Sequence, residues 1–213
     1  MKQILVAVAL VMVGLVPGVS QAANFFSDDF DTETLELNHG TPPQTNFLQW
    51  TVVDGTVDLI GDPGFFDLIP SHGRYVDLDG TTPNDAGIMR SDALSLLAGT
   101  TYTLTFDLAG SQRGDTNSMS NYGIDTDGDN IADISGATLT RFDLDPFSTE
   151  TLSFTTGGAI PTARIVFGQV GGDNIGMLLD NVKLNPIPEP ASLILLGAGL
   201  AGLGIWRRKA AKV

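Results

Sequence analysis

The stretch "TYTLTFDLAG" constrains this chain more than any other. Tyr102, Leu104, Phe106 and Leu108 alternate with Thr101, Thr103, Thr105 and Asp107, a period of two that fits an extended strand with one dry and one wet face. The same alternation recurs in "WTVVDGTVDLIG", "GRYVDLDG", "TLSFTTGG", "ARIVFGQV" and "GMLLDNVKL", with clusters of Gly, Pro, Asp or Asn between the runs. No stretch of this central region carries a convincing helical period. Short strands at this spacing predict an all-β fold, an antiparallel β-sandwich or jelly roll. Asp54-Gly55, set between two apolar runs, predicts a hairpin. Trp50, Phe65, Phe66, Tyr75, Phe106, Phe154 and Phe167 supply enough large side chains to fill one sandwich core.

Charge narrows the partners. The chain carries a net charge of -14, yet Lys2, Arg207, Arg208, Lys209 and Lys212 lie in its two ends, so the segment between is more acidic than the total implies. With no basic patch to offset phosphate, nucleic acid is not an expected partner. There is no cysteine, which removes both a disulfide framework and a thiolate site. A domain of this size buries enough surface to be stable without such staples.

The two ends read as addresses. Residues 1–22 have Lys2, an apolar run from Ile4 to Val16, the breaker pair Pro17-Gly18, and then small residues at Ser20 and Ala22, three and one positions before a cut. That pattern predicts an N-terminal signal helix removed by signal peptidase after Ala22, with an uncleaved anchor as the other reading. At the back, Ala191 to Trp206 is apolar; as a helix it would reach about 24 Å at ~1.5 Å per residue, short of a ~30 Å hydrocarbon core. Arg207, Arg208 and Lys209 place its C-terminus on the cytoplasmic side. Pro188 and Pro190 hold the approach around Glu189 extended. Residues 23–185 are left as the sandwich domain.

Pro188-Glu189-Pro190, the Gly-rich apolar run and the terminal Arg-Arg-Lys cluster resemble the PEP-CTERM sorting signal of Gram-negative bacteria, here over residues 186–213. That resemblance implies a transmembrane helix at about 191–206, a basic tail at 207–213 and a transient stay in the inner membrane. It further implies recognition by an exosortase, in bacteria that make an extracellular polysaccharide matrix, and delivery to the cell surface or beyond. A permanent one-pass anchor is the alternative. The central segments, from "WTVVDGTVDLIG" to "MLLDNVKL", resemble the secreted galactose-binding-like jelly rolls of the choice-of-anchor type. By that likeness "SDDFDTETL" and "LLDNVKL" are neighbouring first and last strands with a structural calcium between them, and Asp31 and Asp180 its carboxylates. A bulge or turn is the other reading of Asp180-Asn181.

Within the domain the sharpest motif is "DTDGDNIAD". Asp125, Asp127 and Asp129 occupy positions one, three and five of a loop, Ile131 offers a carbonyl at seven and Asp133 falls at nine. This spacing wraps hard oxygen ligands around Ca²⁺, although Asn130 stands where an EF-hand has Gly and Gly136 where it has its bidentate Glu. A solvated acidic loop is the competing reading. Catalysis is not expected: His39 and His72 lie in turn-rich stretches, and no carboxylate pair stands out. Arg113-Gly114-Asp115 is too short a motif to mean adhesion. Phe65 and Phe66, adjacent in a loop, are the expected ligand contacts, since outward aromatic rings grip sugars. The expectation is an exported, surface-sorted, non-catalytic sandwich of the polysaccharide or biofilm matrix, carbohydrate-binding and calcium-stabilised, against a structural or self-associating surface protein with no small ligand.

Overall fold

Alternation becomes strand wherever the central chain is described. The computed structural model describes residues 25–40, 47–61, 65–81 and 85–188. The signal segment with Ser20 and Ala22, the apolar run 191–206, and Glu189, Pro190, Arg207, Arg208 and Lys209 lie outside the described residues. The described residues belong to one compact unit, Ala22–Pro188. Among the described residues there is no helix, and so none long and apolar enough to cross a membrane.

Two antiparallel sheets make the domain. In chain order the strands are β1 (Phe26–Asp28), β2 (Glu36–His39), β3 (Trp50–Asp54), β4 (Val57–Gly61), β5 (Arg74–Asp77), β6 (Ile88–Ser91) and β7 (Leu94–Leu96). They continue with β8 (Thr101–Ala109), β9 (Asn117–Asp125), β10 (Ile134–Ser135), β11 (Leu139–Arg141), β12 (Ser148–Thr155), β13 (Ile160–Val170) and β14 (Leu178–Pro186). The first sheet runs β12-β8-β14-β5-β4-β2, with β1 on β14; the second runs β10-β9-β13-β6-β3, with β11 on β9 and β7 on β13. The first and last strands are neighbours, Phe26 opposite Leu184 and Asp28 opposite Val182, as the family resemblance implied. β1 is short, however, and Asp31 falls in the turn after it.

The Asp54-Gly55 hairpin does not form. β3 pairs with β6 in one sheet while β4 pairs with β2 and β5 in the other, so the turn carries the chain across the sandwich. Burial explains the choice: Trp50 and Val52 on one strand and Val57 and Leu59 on the next all enter the same core, which is reached by facing strands, not by neighbours in one sheet. Gly55 makes the crossing with φ +57°, where a Cβ would stand 2.3 Å from the Ala86 carbonyl oxygen.

Aromatic rings knit the two sheets. Phe106 of the first sheet packs edge-on against Phe167 of the second at 4.9 Å and against Tyr122 at 5.7 Å, and Trp50 lies 5.9 Å from Phe167. Each such side chain contributes roughly 1.5–3 kcal/mol by leaving water. Not every expected core aromatic is there. Tyr75 is fully buried on the opposite face of the first sheet, with Ile60, Ala109 and Leu178, under a roof of Phe65, Leu68, Ile69 and Phe147. Its hydroxyl accepts hydrogen bonds from the Leu68 and Ile69 amides at 2.7 and 2.9 Å, which fixes the roof loop.

Candidate functional site

Three polar constructions stand out on this frame, and the first is the loop joining β9 to β10. The Asp125 carboxylate, buried at the strand end, accepts from the amides of Asp127, Gly128 and Asn130, so one side chain sets the loop's curvature. Asn130 takes φ +69°, the left-handed backbone for which Asn substitutes for Gly. Asn121 clamps the loop to the sheet through the Asn130 carbonyl and the Ala132 amide. Oxygens of Asp125, Asp127 and Asp133 converge within 4.8 Å of one another. Asp129 lies outside that group and accepts from the Ile131 amide instead. Hydrogen bonds from the Thr126 hydroxyl and amide hold the Asp133 carboxyl below its usual range.

The second construction is the seam between β1 and β14. Asn181, at φ +52°, is the extra residue where the β14 register against β8 shifts between Asp180 and Lys183. This bulge leaves Asp180 2% exposed. Burial, together with the charges of Asp107, Asp31 and Asp29, pushes its carboxyl up to about 7 against the pull of the Asn181 amide. Asp31 thus acts on Asp180 electrostatically, while its own Oδ1 accepts from the Arg74 amide. Beside it an open pocket of about 320 Å³ is lined by Ser27, Asp28, Asp29, Thr32, Gln49, Asn181 and Lys183. Asp28 itself is buried, and its Oδ2 accepts from the Trp50 indole N–H at 3.0 Å.

The third construction lies on the outer face of the first sheet. Asp58 and Asp77 stand opposite each other on β4 and β5. They are flanked by Leu37, Ile60, Phe66, Leu68, Thr81 and Arg113, around a cleft of about 50 Å³. Asp58 accepts from the amides of Asn38 and Thr81 and from the Thr81 hydroxyl. Arg113 pairs with Asp77, which commits the arginine of the Arg-Gly-Asp tripeptide to the cleft. Burial pushes the Asp77 carboxyl up to about 7, with Arg113 opposing and Asp58 and Asp79 adding to the rise.

The adjacent phenylalanines divide. Phe65 packs into the roof cluster, and Phe66, at φ +49°, stands 63% exposed at the cleft's edge. The sequence reading named Phe66 but missed its polar companions. Their trace was an Asp inside each of two apolar strands, "VDLI" and "YVDLD", a position where a carboxylate is costly unless it serves something.

Residues 186–209 match the PEP-CTERM protein-sorting motif. No curated protein matches the chain in sequence. Among solved structures the domain is similar to a xylan-binding domain from Paenibacillus barcinonensis, at 11% identity and TM-score 0.48 over 79% of this chain and 97% of that one. It is also similar to the cleaved adhesin domain of Lys-gingipain from Porphyromonas gingivalis, at 13% identity and TM-score 0.49 over 76% and 98%. A third similarity is to an endo-1,4-beta-D-xylanase from Clostridium thermocellum, at 11% identity and TM-score 0.47, covering 78% of this chain but 29% of that one. The sorting motif begins at Pro186, the last residue of β14, so the chain is a β-sandwich that runs directly into a PEP-CTERM protein-sorting motif.

Proposed function

We propose that this is an exported, surface-sorted and non-catalytic protein of the extracellular polysaccharide matrix, which holds a glycan in the outer-face cleft. The observation that carries the reading is Phe66, an exposed ring beside Asp58, Asp77, Thr81 and Arg113. A sugar offers an apolar ring face and a rim of hydroxyls. An aromatic wall suits the first, and fixed carboxylates and a guanidinium suit the second. Signal peptidase and then an exosortase process the two ends, with the 191–206 segment held briefly in the inner membrane.

Calcium is the proposed cofactor. At the β9–β10 loop Asp125, Asp127 and Asp133 would hold it, with the Ile131 carbonyl as a further oxygen; three converging carboxylates suit a hard cation that accepts six to eight oxygen ligands. At the β1–β14 seam Asp31 and Asp180 would hold a second ion, favoured by the cost of the buried, uncompensated Asp180 charge. Both ions are structural, tying down a loop and the chain's first strand.

The test is a glycan array with calorimetric follow-up on wild type and Phe66→Ala, with and without Ca²⁺. Binding that Phe66→Ala abolishes is expected, and a blank array overturns the reading. Deleting residues 187–213 should release the protein from the cell surface; an unchanged surface pool would refute the sorting assignment. One observation favours a self-associating coat protein instead. β12 is an eight-residue edge strand carrying a single charge, Glu150, and among the described residues it pairs only with β8, an edge open to a second copy. Concentration-dependent sedimentation with a blank array would select that reading.

A further inference from the structure

The outer-face cleft holds more negative charge than its surroundings balance. Asp58 and Asp77, 4% and 1% exposed, line it, and fully buried Asp79 lies outside the lining with its amide on Asp77 Oδ1; among the described residues one ion pair reaches the three, from Arg113 to Asp77. Otherwise neutral donors serve them: the Asn38 and Thr81 amides and the Thr81 hydroxyl at Asp58, the Asp79 amide at Asp77, and the Gly172 and Asp173 amides at Asp79 Oδ2. Asp79 Oδ1, fully buried, accepts no hydrogen bond among the described residues. Neutral donors satisfy lone pairs without cancelling charge, and buried charge is stable chiefly when paired. Burial is the chief cause of the raised Asp77 carboxyl, and the charges of Asp58 and Asp79 add to it.

A metal ion does not fit as the missing charge. A hard cation such as Ca²⁺ takes six to eight oxygen ligands, and this cleft is half apolar, walled by Leu37, Ile60, Phe66 and Leu68. Its volume of about 50 Å³, against the ~10–15 Å³ that admits one water, accommodates a small substituent whose parent ring stays outside, against Phe66.

Building on the glycan-binding reading, we propose that the cleft selects a glycan with free amino groups, a de-acetylated hexosamine unit whose ammonium sits at Asp58 and Asp77 while its ring rests on Phe66. An ammonium brings three donors and no acceptor, which matches a floor of acceptors, and its charge attracts it to the face of Phe66. An N-acetyl group would instead bring a carbonyl oxygen toward carboxylates and supply no charge. A uronic acid would add to the excess. The strongly acidic domain draws a cationic polymer from a distance as well.

The experiment is isothermal titration of the full chain in detergent micelles with three hexamers of like backbone: β-1,4-glucosamine, its fully N-acetylated form, and cellohexaose. The glucosamine hexamer should bind at least tenfold more tightly than the other two. Asp58→Asn should remove most of that preference, while Asp129→Asn, in the acidic loop but outside its converging group, should keep it. Phe66→Ala, a change at an exposed side chain, should weaken binding of the amino hexamer without disturbing the fold. Tighter binding of either uncharged hexamer, still lost in Phe66→Ala, would overturn the amine preference and leave the glycan reading standing. A preference that Asp58→Asn and Asp129→Asn reduce equally would also overturn it, by tracing the effect to overall charge. No binding of any hexamer, together with a blank glycan array, would remove both readings.

Discussion

Asp77 makes the stability of the domain depend on pH in the direction opposite to that of a salt-bridged surface carboxylate. Its pKa in the fold is about 7, against an ordinary value of 3.8, so the folded state keeps a proton that the unfolded chain releases near pH 4. The stabilisation tied to that proton is complete below pH 3.8 and is lost as pH rises through 7. A gap of about three pH units, at 1.36 kcal/mol each, amounts to about 4 kcal/mol. The side chain is 1% exposed, so solvent screening removes little of this. Asp77→Asn keeps the shape and removes the titration. Urea unfolding of residues 22–188 in chelator, followed by the fluorescence of Trp50, the one tryptophan in that span, gives the free energy at each pH. The variant should gain on wild type by about 3 kcal/mol between pH 4.5 and pH 8, most of it before pH 7. A difference between the two that stays flat over that range refutes the argument, because it would mean that Asp77 ionises alike in both states.

Three other outcomes follow from the geometry. Asp125→Asn or Asp127→Asn should reduce the rise in thermal midpoint that Ca²⁺ produces to the share of the Asp31–Asp180 site, whereas Asp129→Asn, outside the converging group, should preserve it in full; calorimetry with and without calcium reads both. Asp180 adds a second pH slope of the same sign as that of Asp77, since its carboxyl is also raised to about 7; saturating Ca²⁺ should erase it, and pH-dependent unfolding of Asp180→Asn with and without the ion checks this. Gly55→Ala places a Cβ in left-handed backbone and 2.3 Å from a carbonyl oxygen, and should cost about 3 kcal/mol in urea unfolding. Gly99→Ala, also at positive φ but with nothing within 4 Å, should cost about 1 kcal/mol.

The sandwich was legible because β8, β12 and the later part of β14 display their burial as plain alternation. β9 was not read, and the reason is physical. Asn117 and Met119 face inward, then Tyr122 and Ile124 do, so the period slips by one residue across a bulge where the register against β13 shifts. A pattern search finds no single face there. The hairpin signal at Asp54-Gly55 failed because local turn chemistry is the same whether the chain doubles back in one sheet or crosses to the other; only burial on both sides decides. The convergence of Asp125, Asp127 and Asp133 was legible since these carboxylates lie within nine residues of one loop. The cleft was not, because Asp58 and Asp77 meet through the β4–β5 register and Arg113 arrives from the loop after β8. Phe66, and an Asp inside each of two apolar strands, were its local traces.

β14 has a mechanical role that follows from its place. It lies inside the first sheet and continues at Pro186 into the sorting motif, so any tether at the C-terminus pulls on it. A ligand held at β4 and β5 pulls on β5, whose registered pairing with β14 is two residues long, Leu178 opposite Asp77 and Leu179 opposite Val76. β8, by contrast, is registered along almost the whole of β14. If the proposed glycan load and a C-terminal tether pull against each other, the strain concentrates at those two rungs, one of which is Asp77 itself. Force that loosens the rungs disturbs the cleft floor before it reaches the aromatic core, so an overloaded domain would release its cargo and remain folded on its tether.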